Sequence, residues 1–327
     1  MSGPLIVAIP SKGRLKEQVE EWLSDCGLPL KVTGGSRGYM AGLKGLDGVQ
    51  VRLLSAGAIA DAIDAGDIHL GVTGEDLLRE RGEDLTGRAM LLRALGFGRA
   101  DVVVAAPQSW LDVDTMADLE EVAHEHLVRT GRRMRVATKY LTLTRAFFAR
   151  HGVSDYRITE SAGATEGAPA AGTAELVVDI TSTGATLAAN GLKVLADGVI
   201  LRSQAQLAAS LRATWTPAQL AAAERLLRAV EARAAALGRA TLSWPAGEAR
   251  EAGMREKSVV DRLVAEGASR RPDGLLVDEA VIREHAAALT QAGLGPVAVS
   301  RPDHVFEVTC ASFIELKGAI SDILIKK

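Results

Sequence analysis

The sequence predicts an α/β fold with mostly parallel sheets. Short apolar runs rich in β-branched residues alternate with stretches of helical periodicity through the first two thirds of the chain. Such runs suit strands that are buried on both faces, and their alternation with helices is typical of parallel sheets. At 327 residues the chain is long enough for two or three domains. Parallel sheets place ligands beyond the carboxyl ends of their strands, so residues directly after strands are candidates for function.

The predicted elements follow one another in α/β order. The first are a strand, Leu5 to Pro10, and a helix near Leu15 to Asp25. Further strands are predicted at Val49 to Ser55, which a helix to about Ala65 follows, and at His69 to Gly74, Asp101 to Pro107, Arg135 to Thr138 and Ala174 to Ile180, with a helix near Leu143 to His151. The small-residue stretch Ser161 to Ala174 is predicted to be a loop with a short helix.

The character of the chain changes near residue 216. Thr216, Pro217 and Gln219 form a helix start, with a capping hydroxyl, a proline in the first turn and a reciprocal glutamine. Apolar residues then recur at helical spacing until Gly238. An appended α/β domain is expected from two more helical patterns, about Arg250 to Glu266 and Val281 to Gly293, and from strand-like GLLVD, PVAVS and HVFEVTC.

Composition and charge exclude several classes of protein. Hydrophobic residues make up 47% and charged residues 24%, which is globular rather than disordered composition. A net charge of −3 gives no general basic field, so nucleic acid is not expected as a partner. Cys26 and Cys310 lack a C-x-x-C spacing, no stretch approaches 18 apolar residues, and the N-terminus has no signal-peptide pattern. We therefore expect a cytoplasmic protein without a membrane partner.

The stretch DITSTGATLAANGL, Asp179 to Leu192, has the pattern of a phosphate-binding loop without a cation. A strand, a small hydroxyl-rich turn and a helix N-terminus aim backbone N–H groups at one anion. The P-loop pattern G-x-x-x-x-G-K-[ST] is absent, so a phosphate monoester fits better than a nucleotide that donates its γ-phosphate. An ordinary βα turn is the alternative. Asp179 favours the first interpretation if it serves a different group, such as sugar hydroxyls or a metal.

Five ordered segments resemble the ATP phosphoribosyltransferase family, the first enzyme of histidine biosynthesis. They are IPSKGRL, HLGVTGEDLL, GFGRADVVVA, RVATKYLTLTRAFFARHGV and VVDITSTGATLAANGL, and they extend to about Ser210. The resemblance implies a two-lobed, periplasmic-binding-protein-like catalytic core with an α/β domain after it. It places lobe I in residues 1–96 and about 196–216, lobe II in 97–195, and a C-terminal regulatory or oligomerisation domain in 217–327.

The resemblance implies phosphoribosyl pyrophosphate and ATP as substrates. The loop would hold the 5-phosphate of the sugar through Thr181, Ser182, Thr183, Gly184, Ala185 and Thr186, while catalytic Asp179 faces the ribose hydroxyls. In this family adenine N1 of ATP attacks the anomeric carbon, magnesium pyrophosphate leaves with inversion, and no covalent enzyme intermediate forms. Mg²⁺ is the implied cofactor, held mainly by substrate phosphates and only weakly by Asp179.

Charged residues after other predicted strands complete the implied site. Lys12 and Arg14 suit pyrophosphate or triphosphate oxygens and are the other expected catalytic residues. Without the family context they would be two solvated cations at a helix start. Glu75 and Asp76 are expected to accept hydrogen bonds from the adenine amino group or a ribose hydroxyl, and capping of the following helix is the alternative.

Three further residues are expected to bind substrate. Arg99 stands at the entrance of a predicted strand, where structural pairing is the alternative. Lys139, with Thr138 and Tyr140, lies at the carboxyl end of a strand, where contact with an anion or nucleotide is natural. Glu166 is expected to open a short helix facing the cleft, with helix capping as the alternative.

Two features stand apart from this pattern. The family often has a segment like LRPRDI where this chain has LLSAGAI, so Ser55 and Gly57 replace expected cations. The sequence His124-Glu125-His126 suggests a metal site, but alternating residues in a polar stretch are more typical of a solvated helix face.

The C-terminal segment is less typical of the family. Long members carry a regulatory domain that binds histidine and form hexamers, whereas short members stop near residue 210 and need a separate regulatory subunit. The length implies the long form, with L-histidine as a feedback inhibitor and a homo-oligomer, hexamer or dimer. Gly274 to Cys310, however, predicts β-α-β-β. A two-lobed solute-binding protein and a phosphoribosyltransferase for another base are the alternative functions.

Overall fold

A computed structural model describes residues 3–32, 40–161, 163–245 and 250–325. The chain forms two compact units. The first consists of Met1–Glu21, Leu30–Ala222 and Ile314–Lys327, and the second of Trp22–Pro29 and Ala223–Phe313. Each unit is therefore assembled from segments that are distant in sequence.

The first unit begins with an α/β lobe around a mixed sheet. Its elements are β1 (Leu5–Pro10), α1 (Gly13–Asp25), β2 (Leu30–Val32), β3 (Met40–Leu43), β4 (Leu46–Leu54), α2 (Ala56–Ala65), β5 (Leu70–Gly74), α3 (Glu75–Glu80) and β6 (Ala89–Ala94). The strand order is β2-β3-β4-β1-β5-β12-β6, in which β12 (Ala205–Ser210) returns from later in the chain. Strand β1 pairs in parallel with β4 and β5, and the other neighbours are antiparallel.

The chain then builds a second α/β lobe in the same unit. Its elements are β7 (Asp101–Pro107), α4 (Met116–Thr130), β8 (Met134–Thr138), α5 (Leu141–Arg150), β9 (Tyr156–Glu160), a 3₁₀ helix (Thr165–Gly167), β10 (Leu176–Thr181), α6 (Ala185–Ala189) and β11 (Leu192–Leu201). The strand order is β11-β7-β10-β8-β9. Strand β8 pairs in parallel with β10 and β9, while β7 is antiparallel to both of its neighbours.

The apolar runs of the sequence become the cores of these lobes. In β7 the residues from Val102 to Ala106 are fully or almost fully buried, as expected for a strand covered on both faces. Helix α4 starts with a reciprocal capping box between Thr115 and Asp118, which satisfies backbone N–H groups of its first turn. The α/β class and the two-sheet core are confirmed, with parallel pairing concentrated around β1 and β8.

The second unit contains a small antiparallel sheet with helices. Its elements are α7 (Pro217–Ala236, which starts in the first unit), β13 (Arg239–Ser243), α8 (Arg250–Ala265), β14 (Ser269–Arg271), β15 (Gly274–Asp278), a 3₁₀ helix (Glu279–Val281), α9 (Ile282–Gln291), β16 (Ala298–Ser300) and α10 (Ala311–Ile325, which ends in the first unit). The strand order is β14-β15-β13-β16. Over the part of the chain that the structure describes, no helix has both the length and the apolar character needed to cross a membrane.

One predicted strand of this unit is wrong. The segment HVFEVTC, residues 304–310, contains no strand. The Val305 amide bonds to the Ala232 carbonyl of α7, and Arg228 bonds to the carbonyl oxygens of Glu307 and Val308. Val308 is 92% exposed, so its β-branched side chain packs against no sheet. The alternating apolar and polar residues of this segment therefore belong to an irregular stretch that is hydrogen-bonded to α7.

Candidate active site

The topology gathers the predicted site residues at strand carboxyl ends. Because β1, β4 and β5 are parallel, Lys12, Ser55 and Glu75 follow strands that end at one edge of the first sheet. The same holds in the second sheet, where Lys139 follows β8 and Ser182 follows β10. Each lobe therefore presents one edge that carries polar and charged residues.

These two edges meet at Asp76 and Tyr140. Asp76, in the first turn of α3, is only 5% exposed. The Tyr140 hydroxyl donates to Asp76 Oδ2 at 2.6 Å, and the Ser203 hydroxyl donates to Asp76 Oδ1 at 2.8 Å. Burial first, and then the Asp76 charge, raise the pKa of Tyr140 well above its ordinary value, so the phenol remains a donor. Asp76 thus holds the two lobes together at this point.

The loop after β10 is the most exposed part of the candidate site. Ser182, Thr183, Ala185 and Thr186 are exposed, while Thr181 and Gly184 are half-buried. Gly184 caps α6 with a φ of +77°, a left-handed conformation that glycine adopts without strain. Since α6 has five residues, its dipole is small, and hydroxyls and amides are the main groups that the loop offers an anion.

Three hydroxyls hold the loop in shape. The Thr181 hydroxyl accepts from the Gly184 amide at 2.7 Å, and the Thr183 hydroxyl accepts from the Ala185 amide at 3.3 Å. Both hydroxyls act as acceptors here, so their O–H groups stay available to donate to a ligand. The Ser182 hydroxyl instead donates to the Arg99 carbonyl at 3.0 Å, which fixes Arg99 beside the loop.

Asp179 is the fourth residue of β10, just before the loop, and it is half-buried. One of its oxygens, Oδ1, accepts from the Ile180 amide at 2.8 Å. Burial raises the pKa of Asp179 above its ordinary value, the Ile180 bond and the Lys139 charge oppose this shift, and the Glu166 charge adds to it. Asp179, Lys139 and Glu166 therefore lie within electrostatic reach of one another.

Lys139 and Glu166 approach Asp179 from different elements. Lys139 is exposed directly after β8, and its Nζ atom lies 5.0 Å from the centre of the Tyr140 ring. Glu166 is half-buried in the 3₁₀ helix Thr165–Gly167. The Lys139 ammonium group and the Glu166 carboxylate therefore both act on the half-buried Asp179 carboxylate.

Glu75 is tied into the first lobe. Its oxygens accept from Arg79 Nε at 2.7 Å and from Gln206 Nε2 at 3.0 Å. Gln206 is 4% exposed, and its Oε1 atom is buried without a hydrogen-bond partner among the described residues. This acceptor is shielded from solvent, so its lack of a donor is a cost to the folded state.

The remaining predicted residues are exposed. Lys12 and Arg14 lie at the start of α1, where the chain is held by a bond from the Ser11 amide to the Leu54 carbonyl. Ser55 caps α2 by accepting from the Ala58 amide at 3.2 Å. The position that lacks an expected cation therefore has a structural use.

The described residues contain no group of three His, Cys, Asp or Glu side chains arranged to hold a metal ion. Among them, His124 lies on α4 with its Nδ1 atom 3.0 Å from Asp155 Oδ2. Asp179 and Glu166 together offer two carboxylates. This number fits a magnesium ion that takes its other ligands from substrate phosphates and water.

Ser203 and Gln206 were outside the predicted set, and Tyr140 was expected near an anion or nucleotide rather than at a carboxylate of the other lobe. Tyr140 and Ser203 hold Asp76, and Gln206 holds Glu75. Gln206 has a recognisable signal, because a lone amide in the apolar run AQLAAS needs a buried partner. The contact between Tyr140 and Asp76 joins residues 64 positions apart, and no local pattern reports it.

Comparisons with known proteins show the family to which this chain is similar. A sequence profile of the HisG family, ATP phosphoribosyltransferase, matches residues 55–232. An ATP phosphoribosyltransferase of Caulobacter vibrioides (strain NA1000 / CB15N) is 68% identical over 307 residues, which are 94% of this chain and 95% of that protein. A second, of Bradyrhizobium sp. (strain ORS 278), is 59% identical over 236 residues, 72% of this chain and 73% of that protein.

A solved structure shows a related fold. The ATP phosphoribosyl transferase (HisG:HisZ) complex from Thermotoga maritima aligns with a TM-score of 0.52 and 24% identity, and the alignment covers 69% of this chain and 98% of that chain. At this identity the likeness concerns the fold alone.

Proposed function

The chain belongs to the ATP phosphoribosyltransferase family, and we propose that it joins ATP to phosphoribosyl pyrophosphate with release of pyrophosphate, the first step of histidine biosynthesis. One observation carries the assignment of the site. An exposed hydroxyl-rich loop follows β10, and half-buried Asp179 stands directly behind it. Uncharged donors suit the monoester end of the sugar, whose phosphate needs less neutralisation than a triphosphate.

The loop binds the 5-phosphate through Thr181, Ser182, Thr183, Gly184, Ala185 and Thr186. The Thr181 and Thr183 hydroxyls donate to the phosphate oxygens, because each hydroxyl oxygen accepts from a loop amide and its O–H group remains available. The ribose then extends toward Asp179, whose free carboxylate oxygen accepts from sugar hydroxyls. As pyrophosphate leaves, positive charge develops on the ribose ring, and the Asp179 and Glu166 carboxylates stabilise it.

Lysine and arginine side chains neutralise the phosphate groups of the two substrates in this proposal. Lys12 and Arg14 are exposed after β1, and Lys139 is exposed after β8. They neutralise pyrophosphate and triphosphate oxygens, and Arg99, held beside the loop through its carbonyl, adds a further fork. Holding the two substrates in line supplies the rest of the rate acceleration, since adenine N1 needs no activation by a covalent intermediate.

The two carboxylates after β5 have different roles in this proposal. Glu75, positioned by the Gln206 side-chain amide that donates to it, accepts from the adenine amino group or a ribose hydroxyl. Asp76 is a positioning residue, because both of its oxygens already accept from Tyr140 and Ser203.

Mg²⁺ is the proposed cofactor. Asp179 and Glu166 are the protein groups that would hold it, as a minor part of a shell supplied mainly by substrate phosphates. When bound, it neutralises the pyrophosphate leaving group.

The proposal also covers the regulation of the protein, its assembly and its location in the cell. The regulatory or oligomerisation domain, expected at residues 217–327, corresponds in this proposal to the second unit, Trp22–Pro29 and Ala223–Phe313, with L-histidine as the feedback inhibitor and a hexamer or dimer as the assembly. A cavity of about 420 Å³ in the second unit supports this, because Glu256 and Asp273 line it together with Lys257 and Arg271, as a zwitterion requires. A cytoplasmic location fits Cys26 and Cys310, which do not form a disulfide with each other.

Substrate choice is the direct test of the activity. Pyrophosphate release from phosphoribosyl pyrophosphate would be measured with ATP and, in parallel, with free purines and pyrimidines. Release with ATP alone is the expected result. Release with a free base and not with ATP would indicate a phosphoribosyltransferase for another base. Binding of small solutes without any release would indicate a solute-binding protein.

Two substitutions test the site. Asp179→Ala should lower kcat by about 100-fold or more, because it removes an interaction with the developing charge. Thr183→Val should mainly raise the KM for phosphoribosyl pyrophosphate. Asp112→Ala, at an exposed position of the same lobe, is the matched control and should leave both constants unchanged. Wild-type constants in the first two variants would contradict the assignment.

A further inference from the structure

A second cationic cavity lies in the second lobe, at the strand ends opposite the candidate active site. It measures about 1040 Å³ and is lined by Arg132, Arg133, Arg135, Arg157 and Glu175, with residues at the end of α4. Arg135 and Arg157 are the second residues of β8 and β9, whose carboxyl ends face the other way. Lys139 follows Arg135 by four residues, about 13 Å of extended chain.

Glu175, the carboxylate that lines this cavity, is hydrogen-bonded to Arg135. Glu175 accepts from Arg135 Nη2 at 2.6 Å and from the Arg135 amide at 2.6 Å. Arg132, Arg133 and Arg157 make no ion pair within the described part of the chain. The cavity therefore keeps three uncompensated guanidinium groups.

The register of the sheet adds to this concentration of charge. Arg135 and Arg157 are directly paired on adjacent parallel strands, so they project from the same face. Like charges in directly opposed positions destabilise a sheet. The carbonyl end of α4 favours nearby cations, which accounts for Arg132 and Arg133 after its last turn but not for Arg157.

We propose that Arg132, Arg133 and Arg157 form a second anion site, for a small ligand that carries two or more phosphoryl groups. Planar guanidinium forks match phosphate oxygens in bidentate geometry. Three of them neutralise more charge than one phosphate monoester brings. The volume is that of a small-molecule pocket, so a compact polyphosphate suits it better than the flat acidic surface of a protein.

Binding of inorganic tripolyphosphate to the full chain, measured by calorimetry, tests the site. The wild type should show two binding events, one at the active site and one at the arginine cavity. In the variant with Arg133→Gln and Arg157→Gln, one event should weaken by about tenfold or more per arginine lost. The Thr183→Val variant should keep that event. Arg145→Gln, an exposed arginine of the same lobe outside the cavity, is the control and should keep both.

Activity and mass complete the test. The double arginine variant should keep wild-type kcat at saturating substrates, since neither arginine belongs to the active site. A single binding event in the wild type, or unchanged binding in the double variant, would overturn the proposal. A change in oligomeric mass in that variant would also overturn it, because the arginines would then face a second copy of the chain.

Discussion

Tyr140 places one hydroxyl against a carboxylate of the other lobe, and this bond can be tested by removing a single oxygen. Tyr140→Phe leaves Asp76 Oδ2, in a residue only 5% exposed, without its donor. We expect the free energy of unfolding to fall by about 1–3 kcal/mol, the cost of a buried acceptor without a partner. Urea denaturation measures it.

Tyr156→Phe is the matched control for that change. Tyr156 is a half-buried tyrosine of the same lobe, and its ring packs against Phe148. Its hydroxyl has no hydrogen-bond partner in the described ranges, so we expect little change. Equal losses in the two variants would show that the bond to Asp76 has no special value.

His69 predicts a pH dependence of stability. The Ile6 amide donates to Nδ1 at 3.1 Å, so Nδ1 is an acceptor and the proton lies on Nε2, 3.1 Å from the Thr214 carbonyl. Burial lowers the pKa of His69 below its ordinary value of 6.5, and the Thr214 bond opposes this only in part. Below pH 6.5 the unfolded chain binds a proton that the folded chain rejects.

The sign of that effect follows directly. The stabilising contribution of neutral His69 is complete above pH 6.5 and is lost as the pH falls toward the lower folded value. Urea midpoints at several pH values between 7.5 and 5.5, compared for wild type and His69→Gln, would measure it. The variant should lose stability less steeply on acidification. His124→Gln, at an exposed histidine, is the control: it shows whether removing any histidine side chain changes the pH dependence of stability. Parallel curves for wild type and His69→Gln would contradict the prediction.

At the scale of elements, α6 has a left-handed glycine at each end, and they form a matched pair. Gly184 has a φ of +77° and Gly191 a φ of +70°, and an added Cβ atom would meet no atom within 4 Å at either. Alanine at either position should therefore cost about 1 kcal/mol through backbone strain alone. Only Gly184→Ala should also raise the KM for phosphoribosyl pyrophosphate, because Gly184 belongs to the loop. Equal KM values in the two variants would argue against a phosphate at this loop.

The elements also show what the sequence could predict. Strands β1, β7 and β10 were expected because their apolar runs are buried on both faces. The start of α7 was expected from chemistry, and the bond from the Thr216 amide to Gln219 Oε1 at 2.8 Å confirms its capping pair. Strands β9, β11 and β12 are among those that were not predicted. The residues of β9 and β11 are partly exposed and give a weaker pattern, whereas β12 is buried along its whole length.

The candidate site was predictable in part for a similar reason. Asp179, Lys139 and Glu166 come together because each follows or flanks a strand end of one sheet, which is a rule of topology. The burial of Asp76 was not predicted. Its burial depends on Ser203 and Tyr140, whose positions are fixed by how the two lobes meet rather than by local sequence.

At the scale of the molecule, regulation by histidine is the prediction to test on the full chain. A chain cut near Arg212 would lack Ile314–Lys327, which belongs to the first unit, so truncation would damage that unit as well as remove the second. Activity of the intact protein should fall with rising L-histidine and not with L-alanine. Asp273→Asn, in the mixed-charge cavity of the second unit, should weaken inhibition without lowering kcat. Insensitivity of the intact wild type would exclude feedback inhibition.

The interleaving of the two units has a consequence for biosynthesis of the chain itself. On the ribosome, the segment from Leu30 to Ala222 emerges well before residues 314 onward, yet both belong to the first unit. A nascent chain can pair the strands of its first two sheets early, but it must wait for about 90 further residues, at roughly 5–20 residues per second, before that unit is complete. The first unit is therefore completed only after Ala223–Phe313, the segment inserted into it, has been made.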